Sequence, residues 1–165
     1  MSGFVIGVDP GFTGGIAILH TPLLTEAFGS EAAVHDMPTV PGAKGKTELD
    51  MPRVLLLTQC SDPKKPTEMW LERVGARPGQ GVSSMFRFGQ QLGALEMAAA
   101  AHGHILRYVT PATWKAYFGL SADKGVARGY AMKRFPQLAD QLSRAKDDGR
   151  AEALLIALYG KEHQK

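Results

Sequence analysis

Phe4-Val-Ile-Gly-Val-Asp9-Pro-Gly-Phe-Thr-Gly-Gly-Ile-Ala-Ile-Leu19 is the stretch from which the rest of the chain is read. Two apolar runs, Phe4 to Val8 and Ile16 to Leu19, flank a turn. Both are rich in β-branched residues, which suit a buried, pleated strand. Pro10-Gly11 and Gly14-Gly15 supply one fixed and one permissive backbone for a tight reversal, so the stretch predicts a β-hairpin. Asp9 is the odd residue. A carboxylate ending a buried strand is costly unless something pairs with it. It is either an Asx-type turn former, bonding the backbone after Pro10, or a metal ligand or catalytic acid. The second reading needs further acids elsewhere that meet it.

A chain of 165 residues suits a single domain, 1–165, with a sizeable core. The net charge of +3 hints mildly at a polyanionic partner. One cysteine, Cys60, excludes an intramolecular disulfide and a cysteine-rich zinc site, and fits a reducing compartment. No apolar run has membrane-spanning length, the start does not read as a signal peptide, and there is no internal repeat.

Downstream of the hairpin, Glu31 to Met37 predicts a third strand, and Pro38 to Lys46 an exposed loop. Leu49 to Gln59 carries Val54, Leu55 and Leu57 at helical spacing. Ser61 to Thr67 is a connector. Glu68-Met-Trp-Leu-Glu-Arg-Val74 predicts a second strong strand, on which Glu72 shares a face with Trp70 and Val74 while Arg73 points the other way. A glutamate in that company is either paired with an arginine or functional. The glycine-rich loop from Gly75 to Ser84 holds Arg77, Gln80 and Ser83. A helix from about Ser84 to His102 follows, with Phe88, Leu92, Leu95 and Ala99 as its apolar stripe. Gly89 and Gly93 leave a smooth strip on it, for helix-on-sheet packing or for a subunit interface.

His104 to Val109 predicts another strand. Thr110 and Pro111 open a helix bearing Trp114, Lys115 and Tyr117, and a further helix runs from Asp123-Lys124 to about Phe135. The last element, Lys146 to Tyr159, is a helix rich in alanine and leucine. At about 100° per residue, Asp148 and Glu152 lie about 40° apart on one face. Asp147 points elsewhere and is a natural N-cap, although Gly149 weakens the helix start and leaves the choice between the two aspartates open.

Four acids therefore stand out: Asp9, Glu72, Asp148 and Glu152. Carboxylates brought together raise one another's pKa values, and a divalent cation removes that conflict. An oxygen-only donor set points to Mg²⁺ or Mn²⁺. Two such ions clamp the attacking and leaving oxygens of an in-line phosphoryl displacement.

The order of these motifs resembles the RuvC-type Holliday junction resolvases. The blocks are Gly7-Val-Asp9-Pro-Gly11 with Gly14-Gly15, Leu71-Glu72, Phe88-Gly-Gln90 with Gly93, and Asp148 to Glu152 before Ala-Leu-Leu-Ile-Ala157. They span nearly the whole chain, and the last is most similar to phage-type members. The resemblance implies an α/β, RNase H-like fold, with a five-stranded mixed sheet whose first three strands are antiparallel, flanked by helices. It implies a cytoplasmic homodimer, bacterial or in a phage-infected cell, that nicks four-way DNA junctions symmetrically and leaves 5′-phosphates. Asp9, Glu72, Asp148 and Glu152 match the metal-binding acids, for two Mg²⁺ per site with Mn²⁺ as a substitute. Lys115 matches a catalytic basic residue. Lys124, Arg77, Gln80 and Ser83 complete the expected DNA contacts.

There are departures. Bacterial members often space the last two ligands by three, whereas here the spacing is four. Gly75 stands where the family carries a DNA-wedging aromatic, leaving Phe86 or Phe88 as substitutes. Arg107, Lys115, Lys124, Arg128, Lys133, Arg134, Arg144, Lys146 and Arg150 form a candidate phosphate-binding surface. Two other classes compete with this reading. One is an ATP-binding member of the actin and sugar-kinase superfold, which usually needs a second domain. The other is a non-catalytic junction-binding protein, which has no use for buried acids.

Overall fold

The structure is a computed structural model that describes residues 3–20, 32–60, 66–75, 79 and 81–164. Five strands make the main sheet: β1 (Phe4–Asp9), β2 (Gly15–His20), β3 (Ala32–Asp36), and the later β6 (Glu68–Glu72) and β7 (Ile105–Val109). Their order is β3-β2-β1-β6-β7. The first three form an antiparallel meander, and β6 and β7 add in parallel beyond β1. This is the mixed sheet the sequence predicts.

Alternation along β1 divides the core. Phe4, Ile6 and Val8 face one side, with Ile16 and Ile18 of β2 and Met69 and Leu71 of β6. Helix α1 (Met51–Thr58) supplies Val54 to this layer, and helix α2 (Val82–Ala101) supplies Leu95, Ala98 and Ala99. Val5 faces the other side, with Ala17, Leu19 and Val34. That face is covered by α3 (Pro111–Tyr117), α4 (Lys124–Arg134) and the final helix α5 (Asp148–Glu162). From Ala151 to Leu158 every residue of α5 is buried, so the helix runs through the core rather than over it.

Glycines set how closely α5 lies on the sheet. A Cβ built at Gly7 would fall onto the backbone of Ala153 and Ala157, only 2.8 Å from the Ala157 Cα. One built at Gly149 would stand 2.6 Å from Gly14. Gly149, which weakens the helix on propensity alone, is the residue that lets the helix start against the β1–β2 turn.

Three expectations need correction. The predicted loop from Pro38 to Lys46 contains β4 (Thr39–Pro41), which pairs with β5 (Thr47–Leu49) in an exposed two-stranded hairpin. Leu49 thus belongs to a strand, and α1 starts at Met51 behind Asp50, whose carboxylate accepts from Arg53 N at 3.1 Å. In α2 the stripe is buried at Leu95 and Ala99, but Phe88 is only half-buried and the first two turns lie open. A Cβ added at Gly89 or Gly93 would meet nothing within 4 Å among the described residues, so neither glycine marks a close approach to the sheet there. Among the described residues, no helix is long and apolar enough to cross a membrane.

Candidate active site

Asp9 and Glu72 close the C-terminal ends of neighbouring parallel strands. The register pairs Val8 with Leu71, so the two acids follow one residue on and share the α5 face. Beyond Asp9, Gly14 N donates to Gly11 O at 2.9 Å and seals the turn. The Gly11 backbone N–H also bonds Asp9, so the turn-forming reading of this residue is realised as well. Glu152 is the one charged residue in the buried run of α5, and the close seat of that helix on Gly7 brings it over the same strand ends.

The electrostatics record the convergence. Asp9 is pushed up to about 7 by burial first, then by the negative charge of Glu72 and Glu152; the Gly11 N–H and Lys124 oppose the rise. Glu72 is also raised by burial and by Glu152, against the Trp114 indole, Lys115 and Lys124. Three acids thus share one site, with Lys115 and Lys124 as its local cations.

Two short helices position those cations. β7 ends at Val109, whose carbonyl accepts from Arg73 N at 2.8 Å. Thr110 then caps α3, accepting from Thr113 N at 3.2 Å with Pro111 at the first helical position. This start carries Trp114 and Lys115 back over the strand ends. Trp114 Nε1 donates to Glu72 Oε1 at 2.8 Å, and Lys115 Nζ donates to Glu152 Oε1 at 2.9 Å. At the start of α4, Asp123 Oδ1 accepts from Gly125 N at 2.7 Å and turns Lys124 toward the acids.

The two adjacent aspartates have separate surroundings. Asp147 is fully buried and does not cap α5 with its side chain. Its carboxylate turns back on Arg144, accepting from the backbone N at 2.9 Å, Nε at 3.1 Å and Nη2 at 2.9 Å. These bonds hold its pKa below the usual carboxylate range. Asp148 is partly exposed and accepts from Arg128 Nη1 at 2.7 Å.

The other predicted contacts are less uniform. Ser83 is exposed in the first turn of α2. Arg77 and Gln80 lie outside the described residues. The candidate basic surface is largely committed to ion pairs: Arg107 with Glu68, Lys115 with Glu152, Arg128 with Asp148, Arg144 with Asp147, and Arg150 with Asp36. Sequence reasoning missed Trp114 as the partner of Glu72 and Arg128 as the partner of Asp148. For Trp114 a signal existed, because Thr110-Pro111 fixes where α3 begins and one turn later falls over the end of β6.

The donor chemistry suits a hard divalent cation, being all oxygen and mutually repelling. The arrangement is not yet a closed cage. Among the described residues, no three acidic, histidine or cysteine side chains are gathered so as to hold one ion. Trp114, Lys115 and Arg128 occupy the carboxylates instead.

The chain matches no protein-family model and no curated protein sequence. Solved structures do match. T. thermophilus RuvC in complex with a Holliday junction substrate aligns with a TM-score of 0.62 at 16% identity, over 97% of this chain and 96% of that one. A further Thermus thermophilus RuvC structure aligns with a TM-score of 0.51 at 18% identity, over 96% of each chain. What is shared at such identity is the fold: this chain is RNase H-like, a five-stranded mixed sheet flanked by helices.

Proposed function

We propose that this chain is a metal-dependent, structure-selective endodeoxyribonuclease that resolves four-way and other branched DNA junctions by paired symmetric nicks. The observation that carries the reading is the convergence of Asp9 and Glu72 at the ends of β1 and β6 with Glu152 in the second turn of α5, where the adjacent Trp114 and Lys115 bond Glu72 and Glu152, beside Lys124. The Holliday junction bound by the RuvC neighbour supports the choice of substrate. The form of the Asp148–Glu152 block favours the phage-type branch.

Asp9, Glu72, Glu152 and Asp148 are the residues that would hold Mg²⁺ or Mn²⁺. Bound ions supply charge stabilisation for the attacking and leaving oxygens of phosphodiester hydrolysis. The protein's own groups prepare the site. Trp114 fixes the Glu72 side chain, and the close seat of α5 keeps Glu152 over the strand ends. Lys115 and Lys124 are compact cations suited to a phosphate oxygen, and Lys115 becomes available when Glu152 gives it up. The deciding test is cleavage of branched and linear DNA with and without Mg²⁺. Binding without nicking would favour the junction-binding module. A melting shift with ATP and none with junction DNA would favour the ATP-binding alternative.

The two aspartates give a separate prediction. Asp148→Asn should lose most nicking with its melting temperature little changed. Asp147→Ala should retain nicking yet lose about 1–3 kcal/mol of stability, because Arg144 loses its buried acceptor. Nicking rates and melting temperatures of both variants check this. An inactive, stable Asp147→Ala beside an active Asp148→Asn would reverse the assignment.

Paired nicks need two sites related by a two-fold axis, so a homodimer belongs to the same proposal. Helix α2 offers the surface: Val82 is 85% exposed, Phe86 67% and Met97 66%. Sedimentation at micromolar concentration should give a dimer. A monomer, alone and on junction DNA, would remove α2 as an interface.

A further inference from the structure

Trp114 leads the fully buried side chains by volume among the described residues, with 0% exposure. A buried indole needs an acceptor for its N–H. A backbone carbonyl or a neutral amide would serve, yet this one donates to Glu72 Oε1 at 2.8 Å, across 42 positions of sequence. A glutamine there would satisfy the indole without burying a charge beside Asp9 and Glu152. The charge of Glu72 is therefore surplus to the structural bond. Lys115, the next residue, makes the companion contact. Its Nζ donates to Glu152 Oε1 at 2.9 Å and lies 5.0 Å from the centre of the Trp114 ring.

The two contacts differ in how readily they yield. The Lys115 side chain is 17% exposed, and its flexible stem can carry the ammonium out to water. Trp114 has no such freedom. Its ring is packed in the core cluster that includes Ala127, Leu154 and Leu158, and its helix is fixed by the Thr110 cap and Pro111. Lys115 can give way to an entering cation; the indole cannot. Glu72 thus keeps Oε1 on the indole, and among the described residues no second donor reaches its carboxylate. One oxygen, Oε2, is left to bind with, on a side chain held in one orientation.

Hard cations respond differently to such a ligand. Mg²⁺ and Mn²⁺ demand near-octahedral geometry from well-placed single oxygens, whereas Ca²⁺ takes more oxygens in a flexible shell, often both from one carboxylate. We propose that Trp114 is a positioning residue that sets the cation selectivity of the acidic site, fixing Glu72 as a one-oxygen ligand that favours Mg²⁺ and Mn²⁺ over Ca²⁺. The proposal rests on reading these acids as a divalent-cation site.

The test reads binding without turnover. Melting temperatures of the wild type and Trp114→Phe are measured without DNA while Mg²⁺, Mn²⁺ or Ca²⁺ is titrated. Stabilisation grows with the logarithm of cation concentration over Kd, so each series yields an apparent affinity. The wild type should bind Mn²⁺ more tightly than Ca²⁺. Trp114→Phe keeps an aromatic ring and loses the N–H. Its Mg²⁺ and Mn²⁺ affinities should fall about 10–100-fold, the usual effect of removing a partner that orients a ligand, while Ca²⁺ changes less than threefold. Equal losses for all three cations would assign Trp114 a structural role alone and overturn the proposal, as would a variant with unchanged affinities. In either case a wild type that binds Mn²⁺ and nicks junctions would leave the nuclease reading standing. A wild type that binds no cation would overturn both. If Trp114→Phe does not fold, the wild type carries the readout. The chain has two tryptophans, so its NMR spectrum holds two indole N–H signals, assigned with Trp70→Phe. Mg²⁺ should move the Trp114 signal at concentrations at least tenfold lower than Ca²⁺, and Glu72→Gln should abolish that preference. A Trp114 signal indifferent to both cations, or a preference that survives Glu72→Gln, overturns the proposal.

Discussion

Asp9→Asn is expected to melt higher than the wild type at pH 8 without divalent cations, and to nick no junction with them. Folding carries the Asp9 carboxyl from its ordinary 3.8 to about 7. A group whose pKa is raised on folding is harmless below its unfolded value and destabilises increasingly as pH climbs to the folded one. The wild type should therefore lose stability from about pH 4 to about pH 7 and little from this residue above that. The full shift corresponds to about 4 kcal/mol. Asp9 keeps some contact with solvent, and screening there reduces the effect, so about 2 kcal/mol is expected. Asparagine keeps an acceptor for the Gly11 N–H and drops the charge that Glu72 and Glu152 repel. The gap between variant and wild type should close toward pH 4. Mg²⁺ at pH 8 should raise the melting temperature of the wild type and leave the variant unmoved. Thermal melts at several pH values, with and without Mg²⁺, measure all of this. Parallel pH profiles for the two proteins would show that Asp9 is not strained, and nicking by the variant would remove it from the active site.

The main sheet was legible because its signals are local. β-Branched runs broken by Pro-Gly and Gly-Gly read as β1 and β2, and the turn residues give their antiparallel pairing. The pairing of β1 with β6 is not local: it follows from where α1 returns the chain, as the pairing of β6 with β7 follows from where α2 returns it. The β4–β5 hairpin left no apolar alternation to read, because Thr39–Pro41 is exposed throughout and Thr47–Leu49 buries no residue fully. Helix α2 misled for a reason of length. Its 20 residues span about 30 Å, whereas the five residues each of β6 and β7 span about 17 Å. The apolar stripe outruns the sheet beneath it, and Phe88 is left at the rim.

At the site, the acids could be picked out because a carboxylate in an apolar run has few structural explanations. Their partners could not. Arg150 meets Asp36 across 114 positions of sequence, and Arg128 meets Asp148 across 20. A count of positive residues sees a basic surface where the fold has already neutralised much of it. Asp147 shows the same limit at short range. Helical geometry sets it on a different face from Asp148, but does not show that its carboxylate turns back on Arg144 instead of capping α5.

Gly7→Ala should be among the most damaging single-methyl changes at the described glycines. The new Cβ would stand 2.8 Å from the Cα of Ala157, with the backbone of Ala153 closer still. Backbone has no rotamer with which to turn away. Either β1 or α5 must move, and α5 cannot lift without unseating the core from Ala151 to Leu158 that it carries. Overpacking of this kind is destabilising by about 1–3 kcal/mol where side chains yield; against backbone the upper end is expected. For a chain of this size that lowers the melting temperature by roughly 10 °C. The consequence for the site is direct, since Glu152 precedes Ala153 and moves off Glu72 and Asp9 with it. Nicking should fall more than stability alone explains at a temperature where the variant is folded. Gly93→Ala is the control. Its Cβ meets nothing within 4 Å, and alanine in an exposed helix is favoured over glycine by about 0.5–1 kcal/mol. That variant should melt slightly higher as a monomer. If it instead dissociates a dimer, the smooth strip at Gly89 and Gly93 is where two copies of α2 meet. A Gly7→Ala protein that melts within 2 °C of the wild type would show that α5 does not lie as close to β1 as the site requires.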